Sequence, residues 1–292
     1  MPSMKKFFKY LLPVPVKKSL KYLFYLVQDI ISAIFKTNLK GYPPKRFDFV
    51  GSLDFKKIGD EFTDYFIKLG GLKPTDTVLD IGSGIGRMAI PLKKQLTKGE
   101  YYGFDIDHRG IKWCQKNISK ECPNFHFQYV DIFNKYYNKK GKIQAHEFTF
   151  PYPNNQFDFV FATSVFTHML PEQISQYLKE IHRVLKPNGT CFATWFSVDD
   201  EAQESISQHR SHCNFKYEYI KDICFYSHKN VPEAEIGYRE SWIIEQLKKT
   251  GIEKNLKIHH GRWSHQKNGL SYQDILISQR KEALAVIAPS DT

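Results

Sequence analysis

The spacing of apolar positions changes period along the chain. Between residues 20 and 36, Leu20, Leu23, Phe24, Val27, Ile30, Ile31, Ile34 and Phe35 recur at helical intervals. At about 100° per residue they share an arc of roughly 140°, opposite Lys21, Tyr25, Gln28, Asp29, Ser32 and Lys36. The pattern predicts an N-terminal amphipathic helix. Lys21, Gln28 and Asp29 interrupt every window of about 18 residues, so a membrane span is not expected. Nor is a secretory leader, because the apolar runs are short and no small-x-small site follows. Tyr42-Pro43-Pro44 reads as a linker.

From about residue 75 the period shortens. Runs rich in β-branched and aromatic residues at 77–81, 101–106, 125–130, 157–163 and 191–196 predict strands. Helical patterns lie between them, over about 85–97, 108–120 and 171–185, with a last one near 238–250. Such alternation argues for a parallel sheet covered on both faces. Two stretches break it, 133–155 and 197–237. Long excursions at strand ends are where such folds build substrate pockets. Runs at 256–263 and 272–279 close the chain, and Asn268-Gly269 between them predicts a hairpin. The expected fold is therefore α/β: a doubly wound, mostly parallel seven-stranded sheet, with a C-terminal β-hairpin and an N-terminal amphipathic helix. The expected organisation is an arm and linker over 1–46, a main domain over 47–280 with a substrate-side insertion at 197–237, and a tail over 281–292.

Composition changes this picture little, and charge changes it more. The 292 residues are 41% hydrophobic and 25% charged, which excludes collagen-like, disordered and multi-span classes. Residues 1–46 hold nine Lys, Arg46 and a single acid, Asp29, and so carry +9 of the formal +11. The body is nearly neutral. A basic arm suits anchoring on something anionic. Three partners remain open for residues 17–36: the body or another subunit, an anionic membrane surface, or RNA, with nucleic acid the least favoured. The five cysteines (114, 122, 191, 213, 224) show no CxxC spacing, so reduced thiols in a cytoplasmic protein are expected, peripheral on a membrane if the arm binds lipid.

The chemistry concentrates where the first strand turns into the first helix, at Val78-Leu79-Asp80-Ile81-Gly82-Ser83-Gly84-Ile85-Gly86-Arg87. Glycines there let a ligand approach the backbone beside a helix N-terminus. A dinucleotide fingerprint wants G-x-G-x-x-G, but here the third glycine comes one residue early and Arg87 stands in its place. Asp80 precedes the loop. A carboxylate suits a ligand carrying positive charge better than a pyrophosphate.

With these motifs the sequence resembles the class I S-adenosylmethionine-dependent methyltransferases, over roughly residues 47–280. The D-x-G-x-G loop is Asp80–Gly84. Gly103-Phe104-Asp105 ends the second strand, and Asp105 stands 19 residues after Gly86, where the family's acid binds both ribose hydroxyls. Val130-Asp131-Ile132 matches the acid that accepts from the adenine amino group. Arg183-Val184-Leu185-Lys186-Pro187-Asn188-Gly189 is similar to the family's turn into strand five. The resemblance implies S-adenosyl-L-methionine as cofactor, bound by Asp80, Gly82, Ser83, Gly84, Arg87, Asp105, Ile106, Asp131, Ile132 and Ser164. Asp158 reads as strand scaffolding.

In this family the end of strand four faces the methyl group. Ala162-Thr163-Ser164-Val165 there lacks the Asn/Asp-Pro-Pro-aromatic motif of adenine and glutamine enzymes, and no Pro-Cys pair offers a cytosine-type nucleophile. Asp199-Asp200 follows strand five, but strand four brings no acid, so no metal is expected; His209-x-x-His212 reads as a polar loop. His168 is the candidate general base, since imidazole titrates near neutrality. A structural role for it stays open. The expected acceptor is a small or lipid-like molecule methylated on oxygen or nitrogen. The alternatives are an RNA methyltransferase using the basic arm, and a cofactor-binding pseudoenzyme acting as an interaction module. The aromatic-rich excursion (Phe215, Tyr217, Tyr219, Phe225, Tyr226) suits a ring-bearing acceptor or plain core equally.

Overall fold

Phe66 has no solvent exposure and touches two strands at once: its ring stacks on Phe161 at 4.4 Å and meets Phe192 and Phe159 edge-on at 4.9 and 5.7 Å. The computed structural model in which this is seen describes residues 23–31, 41–47, 54–266 and 268–282. The rest of the arm, with Leu20, Ile34, Phe35 and the Lys5–Lys6 cluster, lies outside the described residues, as does the tail beyond 282. Two compact units divide between Ile58 and Gly59.

In the first unit, residues 23–31 form a helix (α1). Leu23, Phe24, Val27, Ile30 and Ile31 on it are all exposed, between 47% and 59%. Asp29 is buried instead. Its carboxylate accepts from the Lys45 and Arg46 amides and from Arg46 Nη1 at 2.8, 3.2 and 3.0 Å, which ties the helix to a 3₁₀ turn at Lys45–Phe47. A helix α2 (Phe55–Lys68) follows, absent from the sequence expectation. Among the described residues no helix is long and apolar enough to cross a membrane.

The second unit carries the sheet. Its strands are β1 (Thr77–Ile81), β2 (Glu100–Asp105), β3 (Phe125–Tyr129), β4 (Phe157–Ala162), β5 (Leu185–Trp195), β10 (Lys254–His259) and β11 (Asp274–Gln279), in the spatial order β10-β11-β5-β4-β1-β2-β3. All neighbours are parallel except β11, which runs antiparallel to both β5 and β10. β1 and β4 are apolar almost throughout, as strands buried on both faces must be. Asp158, the polar residue of β4, accepts from the Thr77 amide and from Lys186 Nζ, and so is scaffolding. Helices α3 (Ala89–Leu92), α4 (His108–Cys114), α5 (Pro171–Val184) and α7 (Glu240–Thr250) connect the strands. One face of the sheet packs Phe66 and Phe62. A larger cluster runs through Leu79, Phe104, Phe150, Phe166, Tyr177 and Trp195.

Four sequence expectations change. The helix at 85–97 shrinks to α3, because Gly84 and Gly86 both take left-handed backbone and prolong the turn. The 108–120 pattern is α4 followed by a π-helical segment, Gln115–Ser119. β5 begins at Leu185, well before 191, and a bulge opposite β4 absorbs Lys186–Gly189. Asn268-Gly269 is not a two-residue hairpin turn. β10 and β11 do pair, but residues 260–273 intervene as a loop folded on itself through Arg262–Ser271 and Trp263–Tyr272 backbone bonds.

The 197–237 stretch holds a second sheet, β6 (Ser197–Val198), β7 (Tyr217–Ile220), β8 (Cys224–Tyr226) and β9 (Ile236–Arg239), ordered β6-β9-β8-β7, with helix α6 (Asp200–Ser207). Phe215 and Phe225 fill its core with Phe196 and Trp263. All five cysteines are free thiols. Phe66→Ala should cost about 3–5 kcal/mol, as for a large ring removed from a filled site. Urea denaturation of the purified chain measures it, and a loss under about 1 kcal/mol would show that the α2–sheet contact is dispensable.

Candidate active site

The parallel strands all deliver their carboxyl ends to one edge of the sheet. β1 pairs with both β2 and β4, so the strand order reverses there, and Ile81 lies level with Phe104 on one side and Ala162 on the other. Ligands bind such sheets at that reversal. The structure brings Gly82–Gly86, Asp105, Asp131 and Ser164–His168 to this edge.

The glycine loop hangs from the end of β2. The Gly82 and Ser83 amides donate to the Phe104 carbonyl at 3.0 and 3.1 Å. The Gly84 amide donates to Asp105 Oδ2 at 2.7 Å, and Asp105 Oδ1 accepts from the Asp107 amide at 2.6 Å. Gly84 adopts φ +55°, and a Cβ there would meet nothing within 4 Å, so the loop leaves open space on that side. Burial lifts the Asp105 carboxyl to about 6. Each of its oxygens holds one backbone N–H and keeps a lone pair for another donor.

Asp80 sits beneath the loop, 1% exposed, and accepts from Tyr101 Oη at 2.5 Å. Burial pushes it to about 8, against the opposing pulls of the Tyr101 hydrogen bond and of Arg87, so it is largely protonated at neutral pH. Arg87 lies near enough to lower the pKa of both Asp80 and Tyr137. Asp131 accepts from Tyr129 Oη at 2.9 Å, while Ile132 is buried in the main core and Ile106 packs against it. Ser164 takes φ +57°; its amide donates to Thr194 Oγ1 at 2.7 Å and its hydroxyl to Gln273 Oε1 at 3.0 Å.

His168 ends a short 3₁₀ turn, Phe166–His168. Its Nδ1 lies 2.9 Å from the Glu233 carbonyl. A carbonyl only accepts, so Nδ1 carries the proton, and Nε2 is left as an acceptor 3.3 Å from Tyr137 Oη. Asn134 Nδ2 donates to the His168 carbonyl at 3.1 Å, and its Oδ1 accepts from the Tyr136 and Tyr137 amides. Burial lowers the His168 pKa, although its backbone partners oppose this. Asn134, Tyr137 and Glu233 were missed from sequence. The two excursions they occupy were visible, but nothing local marks which residue of a loop meets a ring over 30 positions away.

The methyltransferase-domain family matches residues 79–193, the stretch from the glycine loop into β5. A 2-phytyl-1,4-naphtoquinone methyltransferase of Trichormus variabilis is 30% identical over 42% of this chain and 48% of its own. These likenesses support a class I S-adenosylmethionine-dependent methyltransferase. A phosphoethanolamine N-methyltransferase of Plasmodium falciparum is 24% identical over 70% of this chain and 81% of its own. The crystal structure of a SAM-dependent methyltransferase from Methanosarcina mazei shares the fold at 17% identity, with a TM-score of 0.51 over 74% of this chain and 98% of that one. The chain spans about half the length of the quinone methyltransferase that it matches.

S-adenosylmethionine is the cofactor of a methyltransferase of this class, and the residues present fit it. Ser83 Oγ and Asp80 Oδ1 are buried at the loop with no hydrogen-bond partner. Gly84 opens onto free space, and Asp105 has acceptor capacity to spare.

The half-buried neutral imidazole has a consequence for pH. The folded pKa of His168 lies below its unfolded value near 6.5, so the unfolded chain binds the proton more readily. The stability due to this group is complete above pH about 6.5 and is lost as pH falls. A titration by ¹H–¹⁵N correlation spectroscopy should show His168 remaining the Nδ1–H tautomer at pH 6.5; a half-protonated ring there would contradict the assignment.

Proposed function

We propose that this methyltransferase acts on an oxygen or nitrogen of a small-molecule or lipid-like acceptor. The observation that carries the reading is the shared edge. The glycine-loop clasp that suits the cofactor and an imidazole with its acceptor nitrogen turned to a hydroxyl stand at the ends of β1 and β4, which are neighbours in the sheet. The relatives named for a phytyl naphtoquinone and for phosphoethanolamine support the acceptor class.

The bound cofactor supplies an electrophilic methyl group on a sulfonium. The chain supplies position and proton handling. Asp105 would accept from both ribose hydroxyls on the lone pairs that the Gly84 and Asp107 amides leave. The backbone of Gly82–Gly84 would hold the amino-acid portion, with Asp80, whose carboxyl would ionise more readily beside an ammonium group. Asp131 would accept from the adenine amino group, with Ile106 and Ile132 as its apolar neighbours. Ser164, held by Thr194 and Gln273, shapes the strand-four end. His168 takes the acceptor's proton on Nε2, where a substrate hydroxyl or amine replaces Tyr137 Oη, while Glu233 keeps Nδ1–H fixed. A positioned base contributes about 10²–10⁴-fold.

Incubation with methyl-labelled cofactor and fractionated cell extract tests this. Label should enter the lipid or small-molecule fraction, and label confined to RNA or protein would reject the acceptor class. Asp105→Ala should weaken cofactor binding by about 1.5–3 kcal/mol in titration calorimetry. His168→Ala should reduce turnover far more than cofactor affinity; equal turnover would make the ring structural.

A second proposal concerns the arm. The exposed Leu23, Phe24, Val27, Ile30 and Ile31 on α1, with the +9 of residues 1–46, favour an anionic membrane surface as the partner of residues 17–36. Each apolar side chain inserted is worth about 1.5–3 kcal/mol before ordering costs, and each nearby Lys about 1 kcal/mol. Co-sedimentation with phosphatidylserine vesicles should be lost in the Phe24→Ser, Val27→Ser, Ile31→Ser triple variant and weakened by salt. A large fall in melting temperature without any vesicle binding by the wild type would instead mean that the helix packs on protein.

A further inference from the structure

Away from the glycine loop, three carboxylates and an imidazole converge from four separate elements. Asp199 precedes α6, Glu240 opens α7, His260 follows β10 and Asp274 opens β11. One donor atom each of Asp199, Glu240 and His260 lies within 4.8 Å of the others, the one such group among the described residues. His260 Nδ1 stands 3.8 Å from Asp199 Oδ2, 3.9 Å from Glu240 Oε2 and 3.8 Å from Asp274 Oδ1.

That evenness matters. An imidazolium proton on Nδ1 would draw one carboxylate to hydrogen-bond length, about 2.7–3.2 Å. Here Nδ1 has lost contact with solvent and has no hydrogen-bond partner, yet three oxygens surround it at one distance beyond hydrogen-bonding range. Donors held near each other but not bonded to each other suit a shared cation.

The carboxylates are also oriented in advance. Asp199 Oδ1 accepts from the Ala202 amide at 2.7 Å, Glu240 Oε2 from Ser197 Oγ at 2.9 Å, and Asp274 from the Ser197 and Gly261 amides and Trp263 Nε1 at 2.6, 2.6 and 2.7 Å. Outer hydrogen bonds of this kind fix metal ligands in place. His260 also lines a cavity of about 600 Å³ with Arg210, His259 and His265, which gives an ion an entry path.

We propose that Asp199, Glu240 and His260 bind a divalent first-row transition ion, with Asp274 as a third, buried carboxylate behind them. One borderline nitrogen among oxygen donors suits Mn²⁺ or Zn²⁺. Bonds of about 2.0–2.2 Å need the donors to close by only a few tenths of an ångström. The ion would fasten the 260–273 loop to the starts of α6 and α7. The sequence expectation of no metal weighed Asp199 against strand four alone; its partners come from 41, 61 and 75 positions further on.

Metal binding by the full chain, stripped with chelator, tests this independently of methyl transfer. Titration with Mn²⁺ followed by electron paramagnetic resonance, and with Zn²⁺ by calorimetry, should show one equivalent bound with micromolar or tighter affinity and a metal-dependent rise in melting temperature. His260→Ala and the near-isosteric Glu240→Gln should each weaken binding at least 30-fold. His212→Ala and His265→Ala, a neighbouring stacked pair with centroids 4.5 Å apart, should not. Should His260→Ala fail to fold, Glu240→Gln decides. No saturable binding, unchanged affinity in Glu240→Gln, or loss only in His265→Ala would overturn the proposal.

Discussion

The glycine loop has almost no side chains with which to hold itself, so its shape depends on hydrogen bonds to the end of the neighbouring strand. The Phe104 carbonyl takes two amides, and the Asp105 carboxylate takes a third from Gly84 and a fourth from Asp107. The three bonds from Gly82, Ser83 and Gly84 exist only because β1 and β2 are in parallel register, with Ile81 level with Phe104. The sheet core that fixes the register, built on Phe104, Phe161 and Phe66, therefore acts on the site directly: a strand slip would remove all three loop donors at once.

Burial at the same edge sets its unusual charge state, and the clasp hydrogen bonds to Asp105 oppose the shift. Burying carboxylates at a ligand crevice raises their pKa, and the structure does so twice, at Asp80 and Asp105. In the free protein burial keeps Asp80 largely protonated and leaves Asp105 a costly anion. In the proposed role, hydroxyl donors on a ligand would stabilise the Asp105 anion and a cation would favour ionisation of Asp80.

Much of this was legible in sequence because its cause is local. Strand and helix alternation comes from periodicity, and the glycine loop from residue identity. Where the sequence reading failed, the cause was tertiary. The second sheet is made of strands two to four residues long, too short for alternation to register. Asn268-Gly269 carries the hairpin signature, yet the strands it seemed to join end well before and after it. Phe215 and Phe225, which suited a ring-bearing acceptor or plain core equally, are core. Asn134, Tyr137, Glu233, Thr194 and Gln273 meet His168 or Ser164 across 30 to 109 positions, which no motif encodes.

The Glu233 carbonyl on Nδ1 makes His168 a one-door residue. A ring whose two nitrogens were both exchangeable could pick up a proton on one side and pass it out through the other. Here the inner nitrogen is permanently spoken for by an oxygen that can share a proton but not carry it away. In the proposed role, a proton gained at Nε2 must leave through the same opening by which the acceptor entered. Proton discharge and product departure would then occur in sequence along one path, and a product that lingered would keep the base charged and the next acceptor out.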